Sequence, residues 1–382
     1  MSGELYKLKD ICKIIAGQSP ESKYYNTEGT GIPFFQGKAD FGVLYPNIRV
    51  YCSQPTKIAE KDDILLSVRA PVGSTNLAPC RVCIGRGLTA IRPSEKLNLK
   101  YLLYFFRFFE AQLQQKGTGT TFKAITQDIV KNIEVPVPAI FEQERIVTRI
   151  DELFSELDNG VETLRKTKEQ LVIYRQAVLN HEFSACVSEV PLKSVCKRIT
   201  DGDHMPPPKS PSGIPFIMIS NINNHKINWT NTSFVERKYF DNIDTKRKPQ
   251  KGDVLYTVTG SFGTPVLVNF DKEFCFQRHI ALLRPDTSIL PKYLFYVLQT
   301  SSVYNQASEK STGTAQKTVA LSVLREMTIP YIEDKGIQDK IATSVQNKLS
   351  VCDSIEQTVN DALQQAVAMR QSILKKAFEG GL

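Results

Sequence analysis

The sequence predicts an α+β fold built twice: two similar globular α/β-mixed domains held apart by two long helices that form an antiparallel coiled coil, giving a pseudo-twofold internal repeat. Three observations predict it. One ordered series of short motifs runs through the chain twice, and the offset between matching motifs drifts in one part of each copy but is constant in the other. The constant part carries apolar residues at seven-residue intervals. The boundaries that follow are 1–141 for the first domain, 142–183 for the first helix, 184–336 for the second domain and 337–382 for the second helix.

The first domain opens on Leu8 to Ile15 and the second on Leu192 to Ile199, with Leu, Lys, Cys, Lys and Ile in register. Gly-Ile-Pro-Phe follows at Gly31 to Phe34 and at Gly213 to Phe216. Lys61 to Leu65 answers Lys251 to Leu255, each a short apolar run leading to a small-residue turn at Gly73 or Gly263, which is a strand-and-turn signal. Arg86 and Arg278 each stand three residues after a cysteine and precede the pairs Arg92-Pro93 and Arg284-Pro285. Tyr101 to Tyr104 matches Tyr293 to Tyr296, and the Thr-Gly-Thr segment from Thr118 to Lys123 matches that from Thr312 to Lys317. Both domains close on a strand-like run ending at Pro136 or Pro330.

Partners differ by 184 at Leu8 and Leu192 and by 194 at Pro136 and Pro330, so insertions lie inside the globular parts. Gln143 with Gln338, Ile146 with Ile341, Arg175 with Arg370 and Phe183 with Phe378 all differ by 195. Helices that keep their length beside domains that do not are suited to act as a measured spacer.

From Glu142 to Asn180 there is no proline and one glycine, Gly160, while Ile150, Leu157, Leu164, Leu171 and Val178 form a seam. Ile146, Leu153 and Tyr174 are expected to flank it. The second seam runs through Val345, Cys352, Val359, Ala366 and Ile373, with Ile341, Ile355, Ala362 and Met369 beside it and Lys348 interrupting it. A stripe this long needs a partner helix. If the two helices pair, connectivity makes them antiparallel, and about 40 residues at 1.5 Å each span roughly 60 Å. The carboxyl terminus is then expected near the amino terminus, and a cyclically permuted chain is expected to fold.

Composition bounds the function. At 382 residues, 41% hydrophobic and 23% charged, the chain can bury two cores, and it holds no uninterrupted apolar run of about 18 residues to cross a bilayer. Lys7, Lys9, Asp10 and Lys13 break up any secretory core, which predicts a cytoplasmic protein without membrane partners. Eight scattered cysteines fit a reducing compartment, and Cys80 with Cys83 supplies only half of a zinc site. The net charge of +8 permits an anionic partner. Gly31 to Ala39 imitates a phosphate loop but has five residues between its glycines and Ala39 where a hydroxyl should hold magnesium. No Asn-Pro-Pro-Tyr or Asp-Pro-Pro-Tyr motor for amino methylation is present.

Two similar domains at fixed spacing suit a reader of double-stranded DNA with two half-sites, and their differences in detail predict an asymmetric target. The run from Ile133 to Ile146, followed by Ile150, Leu153 and Phe154, is similar to the start of the first helical region in the specificity subunits of type I restriction-modification systems. The whole chain resembles that family, with its two target recognition domains alternating with two helical regions. The second copy, Ile329 to Ile332 with Gln338 to Ile341, lacks the second proline and the Glu-Gln-Glu-Arg block. The resemblance implies a subunit without catalysis, cofactor or metal of its own. It also implies two modification subunits bound along the helices, carrying S-adenosylmethionine and methylating a flipped adenine. Restriction subunits using ATP and magnesium would complete the complex.

Phosphate contacts position a reader and base contacts specify it. Residues shared by the two copies suit phosphate binding, namely Arg86 with Arg278, and Lys123 with Lys317 beside Thr120 and Thr314. Unshared residues suit base selection, namely Gln36, Lys38 and Arg69 in the first domain and Asn221, Asn223, Lys246, Arg247 and Lys248 in the second. His204 is assigned no role. Two other readings stay open, a rod that binds proteins and the recognition portion of a fused enzyme. Closure of the repeat at Phe378 to Leu382 argues against the second of these. Steep salt dependence of DNA affinity would separate the first from a DNA reader.

Overall fold

The computed structural model describes residues 3–117, 124–184, 188–204, 207–314 and 316–381. The chain divides into two compact units, residues 1–164 with 361–382, and residues 165–360. The long helices are Ile140–Phe183 and Lys335–Glu379, so each contributes one stretch to each unit.

In the first unit a neck is made by Glu4–Lys7 running antiparallel to Glu134–Val137. Inside it lies a four-stranded antiparallel sheet in the order Cys12–Ala16, Leu88–Pro93, Ile64–Ser67, Thr75–Leu77. Successive strand residues face opposite ways, and the core divides accordingly. Ile64, Leu66 and Ile91 pack with the helix Leu99–Lys116 and the long helices, whereas Leu65, Leu88 and Ala90 pack against Phe35 and Ile84 of a second sheet. In that second sheet Ile32–Phe35 runs parallel to Val82–Ile84.

The second unit repeats this order. Ser188–Pro191 pairs with Thr328–Tyr331, and the sheet runs Cys196–Asp201, Ile280–Pro285, Val254–Thr257, Pro265–Leu267. Phe216 and Ile217 lie parallel to Cys275 and Phe276, as Phe34 and Phe35 do to Cys83 and Ile84.

Several repeated motifs prove to be structural clamps. Asp63 receives Arg92 through two bonds of 2.7 and 2.8 Å, and Asp253 receives Arg284 through two of 2.8 Å, with both carboxylates buried. These planar pairs raise the pKa of both arginines, chiefly by hydrogen bonding, and lock two strands together. Gln143 is fully buried: its carbonyl accepts from the Asn98 N–H, and its amide donates to Lys96 O and Pro138 O at 2.8–2.9 Å. Gln338 does the same with Leu290, Ser288 and Ile332. Gln143→Leu removes three hydrogen bonds to backbone groups, of which Pro138 O is buried, at about 1 kcal/mol each. We expect a loss of about 3 kcal/mol in the first unit, read as faster amide exchange over residues 101–106 with residues 293–298 unchanged.

Within each unit the long helices pack side by side and antiparallel. In the second, Lys168 donates to Asn360, Arg175 bridges Asp353 (2.7 Å) and Glu356 (3.0 Å), and Lys348 pairs with Glu182. In the first, Arg370 pairs with Asp158 and lies 4.7 Å from the centre of the Phe154 ring. Among the seam residues Ile150, Leu171, Val178, Val345, Cys352, Val359 and Ala366 are buried; Leu157, Leu164 and Ile373 are half-buried.

The expected flank is corrected. Of that flank Ile146 is buried and Leu153, Ile341 and Ala362 are half-buried, but Tyr174, Ile355 and Met369 are exposed, because along the middle of the pair the covered flank mostly lies four residues after a seam position, not three. That flank holds Phe154, Val161, Leu349 and Leu363, but also Arg175, Glu182, Glu356 and Arg370. These charged chains lay their stems on the seam and reach across to the partner helix, so hydrophobicity alone points to the wrong face. Lys348, which broke the pattern in sequence, is one of these cross-helix partners.

Candidate nucleic-acid interface

In both units the end of the parallel strand pair opens into a groove. The framework beneath it is repeated. Gly17 and Gly202 come so close to the following turn that an added Cβ would meet Gly85 O at 2.2 Å or Phe276 O at 2.1 Å, so only glycine fits. This close approach seats the turns that carry Arg86 and Arg278. The Arg86 N–H donates to Ser19 Oγ at 3.2 Å, and the Arg278 N–H to Asp203 O at 2.9 Å, leaving both side chains exposed.

The first groove encloses about 780 Å³ and gathers Gln36, Lys38, Arg69 and Arg86, four residues that only the fold brings together. Tyr25 and Phe34, stacked with centroids 4.6 Å apart, also line it. The Tyr25 hydroxyl donates to Pro20 O at 2.7 Å; burial raises its pKa, and the charge of Arg86 partly opposes that. The groove's carboxylate, Asp40, is occupied by Arg49. Among the described residues no carboxylate pairs with Lys38, Arg69 or Arg86, so three cations face this groove against one neutralised anion.

The second groove, about 300 Å³, has a different lining. Met218 holds the position of Gln36, and Phe216, Phe234 and Val235 make it more apolar. Its polar groups are Lys209, Gln277, Arg278, His204, His279, Ser233 and Asp203, whose carboxylate accepts from the Tyr239 hydroxyl. His204, given no role from sequence, bonds Asp201 Oδ2 at 2.8 Å and lines this groove. Desolvation, then the neighbouring Arg278, lower the pKa of His279. Lys209, Gln277 and His279 were also missed; the one available signal was that Gln277 and His279 flank the repeated arginine.

Other sequence candidates sit elsewhere. Asn221 is buried, its carbonyl accepting from the Met218 N–H at 3.0 Å to cap a turn, so it has no free amide edge for a base. Asn223 is exposed on a hairpin with Lys226, whose turn residues Asn224 and His225 have positive φ; His225 bonds Pro265 O at 3.1 Å and packs on Phe295, away from the groove. Of the basic run, Arg247 donates to Gly202 O and lies 3.6 Å from Asp201, and Lys248 donates to Asp241 O and lies over the Phe240 ring. Only Lys246 is fully exposed.

Thr314 and Lys317 are exposed on a loop closed by two backbone bonds between Thr312 and Thr318. Thr318 also bridges Thr259, as Ala124 bridges Arg69 in the first unit. Thr120 and Lys123 lie outside the described residues. Among the described residues no cluster of metal-binding side chains occurs, and no helix is long and apolar enough to cross a membrane.

The chain was compared with known proteins. The profile of the family described as "Type I restriction modification DNA specificity domain" matches residues 3–169 and 188–365. A putative type I restriction enzyme MjaX specificity subunit of Methanocaldococcus jannaschii is 43% identical over 169 residues, which span 44% of this chain and 39% of that protein. The EcoBI specificity subunit of Escherichia coli is 22% identical over 98% of this chain and 85% of its own length. The crystal structure of the HsdS subunit from Thermoanaerobacter tengcongensis, 20% identical, superposes over 100% of this chain and 98% of that one with a TM-score of 0.59, which shows a shared fold. Two copies of one family profile therefore account for most of the sequence, and the chain belongs to the family of type I restriction-modification specificity subunits.

Proposed function

We propose that each unit reads one half of an asymmetric, bipartite site in double-stranded DNA through its groove, and that the long helices set the separation of the half-sites. The observation that carries this reading is the pair of grooves at one framework position, sharing an arginine (Arg86, Arg278) and a phenylalanine (Phe34, Phe216) and otherwise lined differently. Arg86 and Arg278, together with the repeated pairs Thr120 with Lys123 and Thr314 with Lys317, hold phosphates; the unshared residues select bases. Helices of 44 and 45 residues with a constant offset of 195 suit a ruler.

The same helices dock two modification (methyltransferase) subunits, to which restriction subunits add. Support comes from apolar side chains exposed on the helix faces turned from the pair, among them Val172, Ile173, Val351 and Val367. The chain itself is not catalytic. S-adenosylmethionine, ATP and magnesium belong to the partner subunits, which methylate adenine and cut DNA.

Mapping methylated adenines in DNA from cells that express this chain with its modification subunits gives both half-sites at once; a single continuous or palindromic site would overturn the reading. The plot of log affinity against log salt is expected to be steep, and Arg86→Ala or Arg278→Ala should each lower its slope by about one while weakening all sequences alike. A flat plot for the wild-type chain favours a protein-binding rod.

A further inference from the structure

We propose that Arg69 is the guanine reader of the first groove, selecting one G·C pair in the half-site which that unit contacts. This deepens the proposed function and rests on its assignment of the grooves to DNA.

Four observations converge on this residue. First, its position is equivalent to Thr259: each stands two residues after the strand of the four-stranded sheet, at Ser67 or Thr257, and each bridges the residue that follows the Thr-Gly-Thr motif in sequence, Ala124 or Thr318. The two copies use this position differently: Arg69 is exposed at its groove, whereas Thr259 is buried, accepts from the Thr318 hydroxyl and does not line the second groove. Second, the backbone beneath it is held fast. Ser67 Oγ donates to Arg69 O at 2.9 Å, and Ser67 is buried.

Third, the guanidinium is exposed at the groove, and no carboxylate pairs with it among the described residues. The contrast with Arg92 is direct, since its Nε and Nη2 donate side by side to the Asp63 carboxylate. Fourth, phosphate binding is already covered in this groove by Arg86, which both copies share. A planar fork held at a wall can donate two parallel bonds to the O6 and N7 acceptors of guanine in the major groove, a geometry that a threonine cannot reproduce and that a lysine's rotatable ammonium holds less rigidly.

The test is selection from a pool of randomised duplexes by the full chain assembled with its modification subunits, comparing wild type, Arg69→Ala, Arg69→Lys and Arg86→Ala. For wild type we expect two half-sites, one with a required guanine. Arg69→Ala should relax that position alone, losing roughly 10- to 100-fold in discrimination and leaving the other half-site intact. Arg69→Lys should recover affinity but not full discrimination. Arg86→Ala should weaken every sequence without changing the preferred one. If Arg69→Ala instead behaves as Arg86→Ala does, Arg69 holds phosphate and the inference is overturned. It is likewise overturned if the relaxed position is not guanine. If wild type selects no bipartite site, the proposed function itself fails.

Discussion

A chain ending at residue 360 is expected to lose the fold of its first unit while keeping that of its second. The removed stretch supplies Leu374, Ala377 and Phe378 to the first unit's core, each at most 7% exposed. Phe378 stacks on Phe108 at 5.5 Å and meets Phe105 and Tyr101 at 5.7 and 5.2 Å. Without these residues Ile146, Ile150 and Phe154 of the first long helix lie bare, so both sides of the contact are lost. Burial of one large apolar side chain contributes about 2 kcal/mol, and three or four such losses on each side approach the 5–15 kcal/mol that holds a typical domain together. Phe378→Ala alone should cost about 3–5 kcal/mol. Hydrogen exchange reads the result: protection over residues 101–106 should vanish in the shortened chain, while residues 293–298, whose core includes Ala342 and Val345, stay protected. Persistent protection at 101–106 would mean that the first unit folds without the second helix.

This dependence follows from the duplication, and the duplication was plain in the sequence. Leu8 with Leu192 and Tyr101 with Tyr293 take matching places: both leucine N–H groups donate to the segment before the closing strand, at Ile133 O and Met327 O, and both tyrosine hydroxyls donate to its proline carbonyl, at Pro136 or Pro330. Gln338 sits in the same clamp as Gln143 although the residues around it differ. The helix phase was less legible, because Arg175 and Arg370 occupy inward positions by pairing with acids on the other helix, and a reading of hydrophobicity cannot foresee those pairs. The candidates of the first domain lie together: Gln36, Lys38, Arg69 and Arg86 are polar chains that the fold turns toward one opening. In the second they misled. Asn221 and Arg247 spend their polar groups on Met218, Gly202 and Asp201, and the groove is completed by His204 and Lys209, some 70 residues before Arg278. Whether a polar residue is free to meet a ligand depends on contacts remote in sequence.

Exchange of the segment from Val190 to Pro330 for that of a relative is expected to change one half of the DNA target completely and leave the other half untouched. The geometry of the neck makes this segment a module. Val190 pairs with Ile329 and Glu189 with Pro330, so the chain enters and leaves the second unit on adjacent strands, and the exchange cuts only two connections that already lie side by side. The long helices meet the module through few apolar contacts: Leu179, Phe183, Ala342 and Val345 against the core that holds Leu192, Tyr293 and Leu324. Phe183 meets Tyr293 edge-on at 5.2 Å, so a donor that keeps a large aromatic at that position should seat without strain. Every residue proposed to read bases in the second half-site lies inside the exchanged segment, and every one proposed for the first lies outside it, from Gln36 to Arg69. Discrimination at the exchanged half should therefore follow the donor, with each wrong base pair costing about 1–3 kcal/mol. The first half-site and the spacer, set by helices left untouched, should read as before. Methylation mapping of the chimera decides it: a change in both half-sites, or a change in the spacer, would mean that the two units do not read DNA independently.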